Sequence, residues 1–205
     1  MKDIRVVIFD CDGVMFETSE ANRAYYNHIL SHFNMPKLTP EQFVYAHQHT
    51  ADEVLILLFK DDAQLAAARA FRSQMSYGMF IPYMIIEPSL KPLLEWLKPR
   101  YKTAVATNRS DTMPRVLKEF GLEGSFDMVV TALDVKRPKP DPEPLLKITT
   151  HFGIDPDQAI YIGDSQVDET AAVKAGIPLA AYKNPALSAA FHISDFNEIR
   201  AILEQ

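Results

Sequence analysis

Two hydrophobic patterns alternate along this chain. Short runs of β-branched and other apolar residues, typical of buried strands, are separated by stretches in which apolar positions recur at helical spacing. The strand candidates are Arg5–Phe9, Thr103–Thr107, Asp127–Thr131, Ala159–Ile162 and Pro178–Tyr182. Because strands that alternate with helices are typical of βαβ units, residues 1–14 and 84–205 are predicted to form an α/β catalytic core around a Rossmann-like, doubly wound parallel sheet.

The segment 15–83 has a different pattern, with helical periodicity and no convincing strand. Aromatic and aliphatic residues recur at helical spacing within Glu20–Phe33, and Val54–Phe59 is almost wholly apolar. We therefore predict an all-helical cap inserted after the first strand. Because ligands bind at the carboxyl edge of an open α/β sheet, an insert that leaves the sheet at that edge is expected to act as a lid.

The composition narrows the class of protein. With 205 residues, 47% hydrophobic and 23% charged, the chain has ample material for a core. Its net charge of -6 argues against non-specific nucleic-acid binding, and no apolar run reaches the roughly 18 residues of a membrane span. The single cysteine, Cys11, excludes an internal disulfide, and the first residues do not have the pattern of a signal peptide. We expect a cytoplasmic protein that binds neither nucleic acid nor membrane.

The first predicted strand ends in two carboxylates, Asp10 and Asp12, followed by Gly13. Residues i and i+2 of an extended chain point to the same side, so both carboxylates face one site. Like charges held side by side repel each other unless a cation or a proton joins them. This arrangement predicts a metal site or a nucleophile beside an acid/base; the alternative is an acidic turn at the end of a strand.

Three other polar segments follow predicted strands: Thr107 to Arg109, Lys136 to Pro142, and Gly163 to Asp168. The carboxyl ends of parallel strands share one edge, so these segments are expected to meet Asp10 there. Their carboxylates are hard oxygen ligands suited to Mg²⁺. Thr107 and Lys139 offer a donor and a positive charge for a phosphate. Lys136 and Arg137 are alternative sources of that charge.

In this order and spacing, the four segments resemble those of the haloacid dehalogenase superfamily, in the branch with a helical cap that includes phosphoglycolate phosphatase-like and β-phosphoglucomutase-like enzymes. Asp10-x-Asp12-Gly13 is similar to the first motif of that family, and Thr107 to the second. Lys139-Pro-Asp-Pro is similar to the third, and Gly163-Asp164-Ser-x-x-Asp168 to the fourth.

The resemblance implies a role for each of these residues. Asp10 would be the nucleophile that forms an aspartyl-phosphate, and Asp12 would protonate the leaving oxygen, take a proton from water and ligate Mg²⁺ through its backbone carbonyl. Asp164 would bind the metal, and Asp168 would ligate it or orient its water and Lys139. Thr107 would hold a phosphoryl oxygen, and Lys139 would neutralise developing charge.

Two further groups are assigned to the substrate. Asn108 is expected to bind phosphate and Arg109 to set specificity, the alternatives being a turn residue and a surface arginine. His47, Gln48 and His49 lie in the predicted loop between cap helices, where relatives place a segment that determines specificity.

The function predicted from these residues is Mg²⁺-dependent hydrolysis of a small phosphorylated metabolite by a monomer or weak dimer. A lid that excludes water suits a compact substrate. Two alternatives stay open. One is a phosphotransferase of the β-phosphoglucomutase kind, although Asn22 stands where such relatives have a histidine. The other is a regulatory protein that binds a phosphorylated metabolite.

Overall fold

The structure, a computed structural model, describes residues 3–204 except the side chains of His47 and Gln48. The chain forms two compact units. One contains the chain up to Glu17 and from Ile85 onward, and the other is Thr18–Met84. None of the helices within the described residues is long and apolar enough to cross a bilayer.

The strands are β1 Val6–Phe9, β2 Phe16–Glu17, β3 Ile85–Ile86, β4 Lys102–Ala106, β5 Met128–Val130, β6 Ala159–Gly163, β7 Leu179–Tyr182 and β8 Phe191–Ile193. The α-helices of the first unit are α5 Leu90–Leu97, α6 Met113–Glu119, α7 Glu143–Phe152, α8 Gln166–Ala175 and α9 Asn197–Leu203. Those of the second unit are α1 Ser19–His32, α2 Pro40–Gln48, α3 Ala51–Leu58 and α4 Asp62–Gln74.

Six strands form one sheet in the order β5-β4-β1-β6-β7-β8, and every neighbouring pair is parallel. The predicted α/β fold with a parallel sheet is therefore confirmed, and each of the five predicted strands is present with no end shifted by more than one residue. Three short strands were not predicted: β8, and the antiparallel pair of β2 and β3. The expectation that segment 15–83 contains no strand is therefore wrong at β2. β2 and β3 have only two residues each, too few to show a periodic pattern.

The central strand β1 is buried on both faces, as its unbroken apolar sequence requires. Val6 and Ile8 belong to a core cluster with Leu145 and Ile148 of α7 and with three alanines of α8. On the opposite face, Phe9 makes edge-to-face contacts with Phe126 and with Phe196, the residue before α9. Helical layers thus cover both faces of the sheet and leave its strand ends for polar residues.

The second unit is helical, and its helices begin at residues that satisfy their first backbone N–H groups. Thr39 forms a capping box with Gln42 at the start of α2, and Thr50 forms one with Glu53 at the start of α3. The apolar stripes of the helices pack on one another. Their buried core consists of Tyr26, Ile29, Leu30, Ala46, Val54, Leu55, Leu58, Phe59 and Ala68.

Candidate active site

Acidic side chains meet at the carboxyl edge of the sheet because their strands are neighbours. β1 pairs with β6, so that Phe9 lies opposite Ile162, and the backbone N–H of Asp10 donates to the Ile162 carbonyl at 2.9 Å. Asp164 follows β6 directly. Asp10, Asp164 and Asp168 each offer a carboxylate oxygen, and these oxygens lie within 4.8 Å of one another. The structure thus brings together the three carboxylates that the sequence assigned to one site.

Lys139 is the cation of this cluster. It is only 5% exposed, and its Nζ donates to Oδ1 of Asp10 and to Oδ1 of Asp168, both at 2.7 Å. The third donor of the ammonium binds the hydroxyl of Tyr161 at 2.8 Å. Arg137, one of the alternative cations, is instead 73% exposed and pairs with Asp141 and Glu143.

Asp168 lies fully buried on the first turn of α8, and both of its oxygens are occupied. Oδ1 accepts from Lys139 and from the Tyr161 hydroxyl, which is 2.6 Å away. Oδ2 accepts from the Ser165 hydroxyl at 2.6 Å and from the backbone N–H groups of Asp164 and Ser165. Five donors hold this carboxylate, which therefore fixes both the lysine and the loop that carries Asp164.

Two glycines make room for the acidic side chains. A Cβ on Gly13 would lie 2.0 Å from Oδ2 of Asp164, and the φ of Gly13 is +79°, in the left-handed region that favours glycine. A Cβ on Gly163 would lie 2.5 Å from the Cβ of Asp168. The Asp164 carboxylate thus packs directly on the turn that follows Asp10.

Burial shapes the charges of the cluster. It raises the pKa of Asp10 well above the ordinary value, although the Lys139 ammonium acts against this, and it raises the pKa of Asp164 to about 7 with help from the Asp168 carboxylate. Burial also opposes ionisation of Asp168, but Lys139 and the hydrogen bonds to that carboxylate keep its pKa below the ordinary value. Burial alone would lower the pKa of Lys139. The negative charges of Asp10 and Asp168 outweigh this effect, so the pKa of the lysine is raised.

The residues present fit a divalent cation. Three carboxylates and one ammonium leave two negative charges uncompensated when all four groups are ionised. Burial is the main cause of the raised pKa values of Asp10 and Asp164, and a cation bound between them would oppose it by favouring the ionised carboxylates. Carboxylate oxygens are the donors that Mg²⁺, Ca²⁺ and Mn²⁺ prefer. Because the oxygens of Asp168 are occupied, Asp10 and Asp164 are the better side-chain ligands.

Asp12 lies beside this cluster and is paired with Arg109. Nε of Arg109 donates to Oδ2 of Asp12 at 2.8 Å, and Nη2 donates to Oδ1. The arginine side chain is only 7% exposed, whereas that of Asp12 is 40% exposed. The alternative of a surface arginine is therefore wrong for Arg109.

Thr107 and Asn108 follow β4 on the other side of β1. Thr107 is buried, and its Oγ1 accepts from the backbone N–H of Arg109 at 3.1 Å. The exposed Asn108 donates from its amide nitrogen to the backbone carbonyl of Lys139 at 2.9 Å. Asn108 thus connects the loop after β4 to the loop that delivers the lysine.

The predicted loop position is wrong for His47 and Gln48, which form the end of α2, and right for His49, which lies between α2 and α3. His49, exposed, stacks on Tyr45 with ring centroids 3.6 Å apart, and its Nδ1 bonds the Tyr45 carbonyl. The side chains of His47 and Gln48 lie outside the described residues, and their role in specificity stays a prediction. In the same unit, Asn22 accepts a hydrogen bond from the Tyr77 hydroxyl at 2.8 Å.

Sequence reasoning missed Tyr161. This tyrosine lies within the apolar strand β6 and counts as core by pattern, yet its hydroxyl contacts both Lys139 and Asp168. Its position in the strand was the available signal. Tyr161 stands two residues before Gly163 and so faces the same side of β6, the side on which Asp168 packs against Gly163. A buried tyrosine needs a partner for its hydroxyl, which also marks it as a candidate.

The chain is similar to known proteins over most of its length. Residues 7–182 match the sequence model of the family described as haloacid dehalogenase-like hydrolase. Pyrophosphatase PpaX of Bacillus velezensis is 32% identical over 182 residues, which cover 87% of this chain and 83% of that protein. Phosphoglycolate phosphatase of Haemophilus influenzae is 29% identical over 185 residues, covering 84% of this chain and 82% of the relative.

A solved structure is similar over nearly the whole length. The crystal structure of a HAD-superfamily hydrolase, subfamily IA, from Geobacter sulfurreducens superposes with a TM-score of 0.90 at 41% identity, covering 98% of this chain and 97% of that one. The predicted resemblance to this superfamily is therefore confirmed.

Proposed function

We propose that this chain, which belongs to the haloacid dehalogenase-like hydrolase family, is a Mg²⁺-dependent phosphatase that hydrolyses a small phosphorylated metabolite through an aspartyl-phosphate. The observation that carries the proposal is the position of Lys139, whose ammonium bridges Asp10 and Asp168 at 2.7 Å beside Asp164. Phosphatase names among the relatives support the same reaction class.

Asp10 is the proposed nucleophile. One of its oxygens attacks phosphorus, the bond from phosphorus to the leaving oxygen breaks, and the phosphoryl group becomes bound to the carboxylate. Phosphate monoesters hydrolyse extremely slowly without a catalyst, and their dianion repels a carboxylate. Lys139 offsets this repulsion from a fixed position, because Asp168 and Tyr161 hold it by hydrogen bonds.

Asp12 is the proposed acid and base. In the first step it gives a proton to the leaving oxygen, and in the second it takes a proton from the water that attacks phosphorus. Asp10 is then regenerated and inorganic phosphate is released. The exposed fraction of its side chain, 40%, is consistent with access to both a leaving group and water.

Asp10 and Asp164 are the proposed side-chain ligands of Mg²⁺, with the backbone carbonyl of Asp12, while Asp168 acts through Lys139 and the loop. When bound, the metal supplies positive charge that offsets the repulsion between the phosphate and the carboxylates. Thr107, buried at the end of β4, is proposed to donate to a phosphoryl oxygen, with Asn108 nearby. A cytoplasmic location and a monomeric or weakly dimeric state stay predictions from the sequence.

Hydrolysis of p-nitrophenyl phosphate tests the proposal, with Mg²⁺ and with EDTA. The wild type is expected to turn over only with the metal, and Asp10→Asn is expected to lose activity by at least about a thousandfold. Asp127→Asn is the matched control, because Asp127 precedes β5 at the opposite end of the sheet, where it pairs with Lys102. Equal activity of the wild type and Asp10→Asn would refute the assignment.

A further inference from the structure

We propose that Arg109 selects substrates whose leaving group carries a negative charge close to the ester oxygen. This inference rests on the proposed phosphatase function and specifies the substrate class of the same site. It starts from the paired hydrogen bonds between the Arg109 guanidinium and the Asp12 carboxylate.

The guanidinium is held as a receptor for a planar anion. Its two N–H contacts with Asp12 have the bidentate form with which arginine recognises carboxylates and phosphates. Nη1 also contacts the hydroxyl of Thr112 at 3.4 Å, and the backbone N–H of Arg109 is anchored on Thr107 at 3.1 Å. With 7% of its side chain exposed, Arg109 is shielded from bulk water and has little freedom to turn away.

The position of Arg109 places it next to the leaving group. In the proposed reaction, a carboxyl oxygen of Asp12 meets the leaving oxygen of the substrate. Both oxygens of Asp12 lie at hydrogen-bond distance from the guanidinium. A substituent one or two bonds from the leaving oxygen therefore comes within reach of the same N–H groups.

The charge of that substituent then determines how well Arg109 stabilises the bound substrate during the reaction. When Asp12 engages the leaving oxygen, it gives up part of its paired hydrogen bonds with Arg109, and weakening a charge pair that is shielded from water costs free energy. A carboxylate or second phosphate on the leaving group replaces the lost contact, whereas a neutral group does not. A carboxylate next to the ester carbon, as in 2-phosphoglycolate, and the second phosphate of pyrophosphate both meet this requirement.

The test compares 2-phosphoglycolate with 2-hydroxyethyl phosphate, in which a hydroxymethyl group replaces the carboxylate, at saturating Mg²⁺. We expect the wild-type kcat/KM to be about 10- to 100-fold higher for the charged substrate, the range of a charge-assisted hydrogen-bond pair. In Arg109→Gln, kcat/KM for 2-phosphoglycolate should fall at least tenfold further than for 2-hydroxyethyl phosphate. Arg109→Lys should retain part of the preference.

Arg115→Gln is the matched control, because Arg115 on α6 is 55% exposed and pairs with Glu119. A wild type that turns over both substrates without preference overturns the inference, even if Arg109→Gln does not fold. An equal loss on both substrates in Arg109→Gln also overturns it, since Arg109 would then only support Asp12. In both cases the proposed phosphatase function stands. A wild type with no Mg²⁺-dependent turnover of any phosphomonoester overturns the function and the inference together.

Discussion

The Tyr161 hydroxyl donates a hydrogen bond to Oδ1 of Asp168, 2.6 Å away, and accepts one from the Lys139 ammonium. These two contacts bring a tyrosine from an apolar strand into the polar cluster. Tyr161 also supplies the third acceptor that Lys139 needs, since an ammonium has three N–H donors. All three N–H donors of Lys139 are thus hydrogen-bonded.

Tyr161→Phe is therefore expected to lower kcat about 10-fold with little change in KM, because it leaves one buried N–H of Lys139 unpaired and loosens the lysine. The same variant should lower the unfolding free energy by about 1–3 kcal/mol, the cost of a buried unsatisfied donor. Steady-state kinetics and chemical denaturation measure the two effects. Tyr101→Phe is the control, since the Tyr101 hydroxyl contacts only the Leu203 carbonyl, at 3.3 Å, among the hydrogen bonds of the described residues. Unchanged kinetics in Tyr161→Phe would show that Lys139 does not need this partner.

Lys139→Gln should lower the unfolding free energy by about 3–5 kcal/mol, because it leaves the buried carboxylates of Asp10 and Asp168 without their cation. Lys102 offers a matched comparison, since it lies at the same 2.7 Å from Asp127 but is 59% exposed. Lys102→Gln should cost only about 0–1 kcal/mol. Urea denaturation of both variants measures the difference. Similar losses in both would show that burial does not set the strength of the Lys139 interactions.

Gly13→Ala is expected to weaken Mg²⁺ binding at least tenfold, because the new Cβ would overlap the Asp164 carboxylate and displace it. Gly124→Ala is the control. Gly124 also has a positive φ, +70°, but nothing lies within 4 Å of an added Cβ, so only backbone strain of about 1 kcal/mol is expected. Isothermal titration of Mg²⁺ into each protein separates the two effects. Retention of wild-type affinity in Gly13→Ala would indicate that Asp164 is not held against this turn.

Asp164→Asn should stabilise the metal-free protein at neutral pH. The pKa of Asp164 is raised from 3.8 to about 7, so this carboxyl lowers the unfolding free energy progressively as pH rises from about 4 to about 7. Asparagine does not ionise, so the unfolding free energy of the variant does not fall in this way as pH rises. It should exceed that of the wild type by about 1–3 kcal/mol at pH 8 and equal it near pH 4. Thermal unfolding in EDTA across this pH range measures it.

The same variant separates stability from metal binding. Excess Mg²⁺ should raise the melting temperature of the wild type but leave that of Asp164→Asn nearly unchanged, because a ligand stabilises only the state that binds it. A variant that is less stable than the wild type in EDTA at pH 8, or equally stabilised by Mg²⁺, would contradict the proposed metal ligand.

The parts of the site that follow strands directly could be predicted from the sequence. Asp10 and Asp164 each come immediately after a run of buried β-type residues, and parallel strands place such positions on one edge. Lys139 lies nine residues beyond the end of β5, at Val130, and its path depends on the intervening loop. Its proline-rich motif and the resemblance to a family, rather than strand periodicity, identified it.

Other relationships depend on tertiary structure that leaves no local pattern. Arg109 and Asp12 are 97 positions apart, and nothing near either residue indicates their pairing. Tyr161 satisfies every criterion of a core residue because its ring is indeed buried; only its hydroxyl enters the site. The five hydrogen bonds that Asp168 accepts likewise could not be predicted from the sequence, since two of the donors are backbone N–H groups in the loop after β6.

The central claim is that Asp10 carries the phosphoryl group during turnover. The most direct test uses Asp12→Asn with p-nitrophenyl phosphate and Mg²⁺, because p-nitrophenolate leaves without a proton while the variant hydrolyses the intermediate slowly. After an acid quench, peptide mass spectrometry is expected to find one phosphoryl group on the peptide that contains Asp10, approaching one per chain. Release of p-nitrophenol with no phosphoryl group on the protein, or with the group on a peptide that lacks Asp10, would contradict the account.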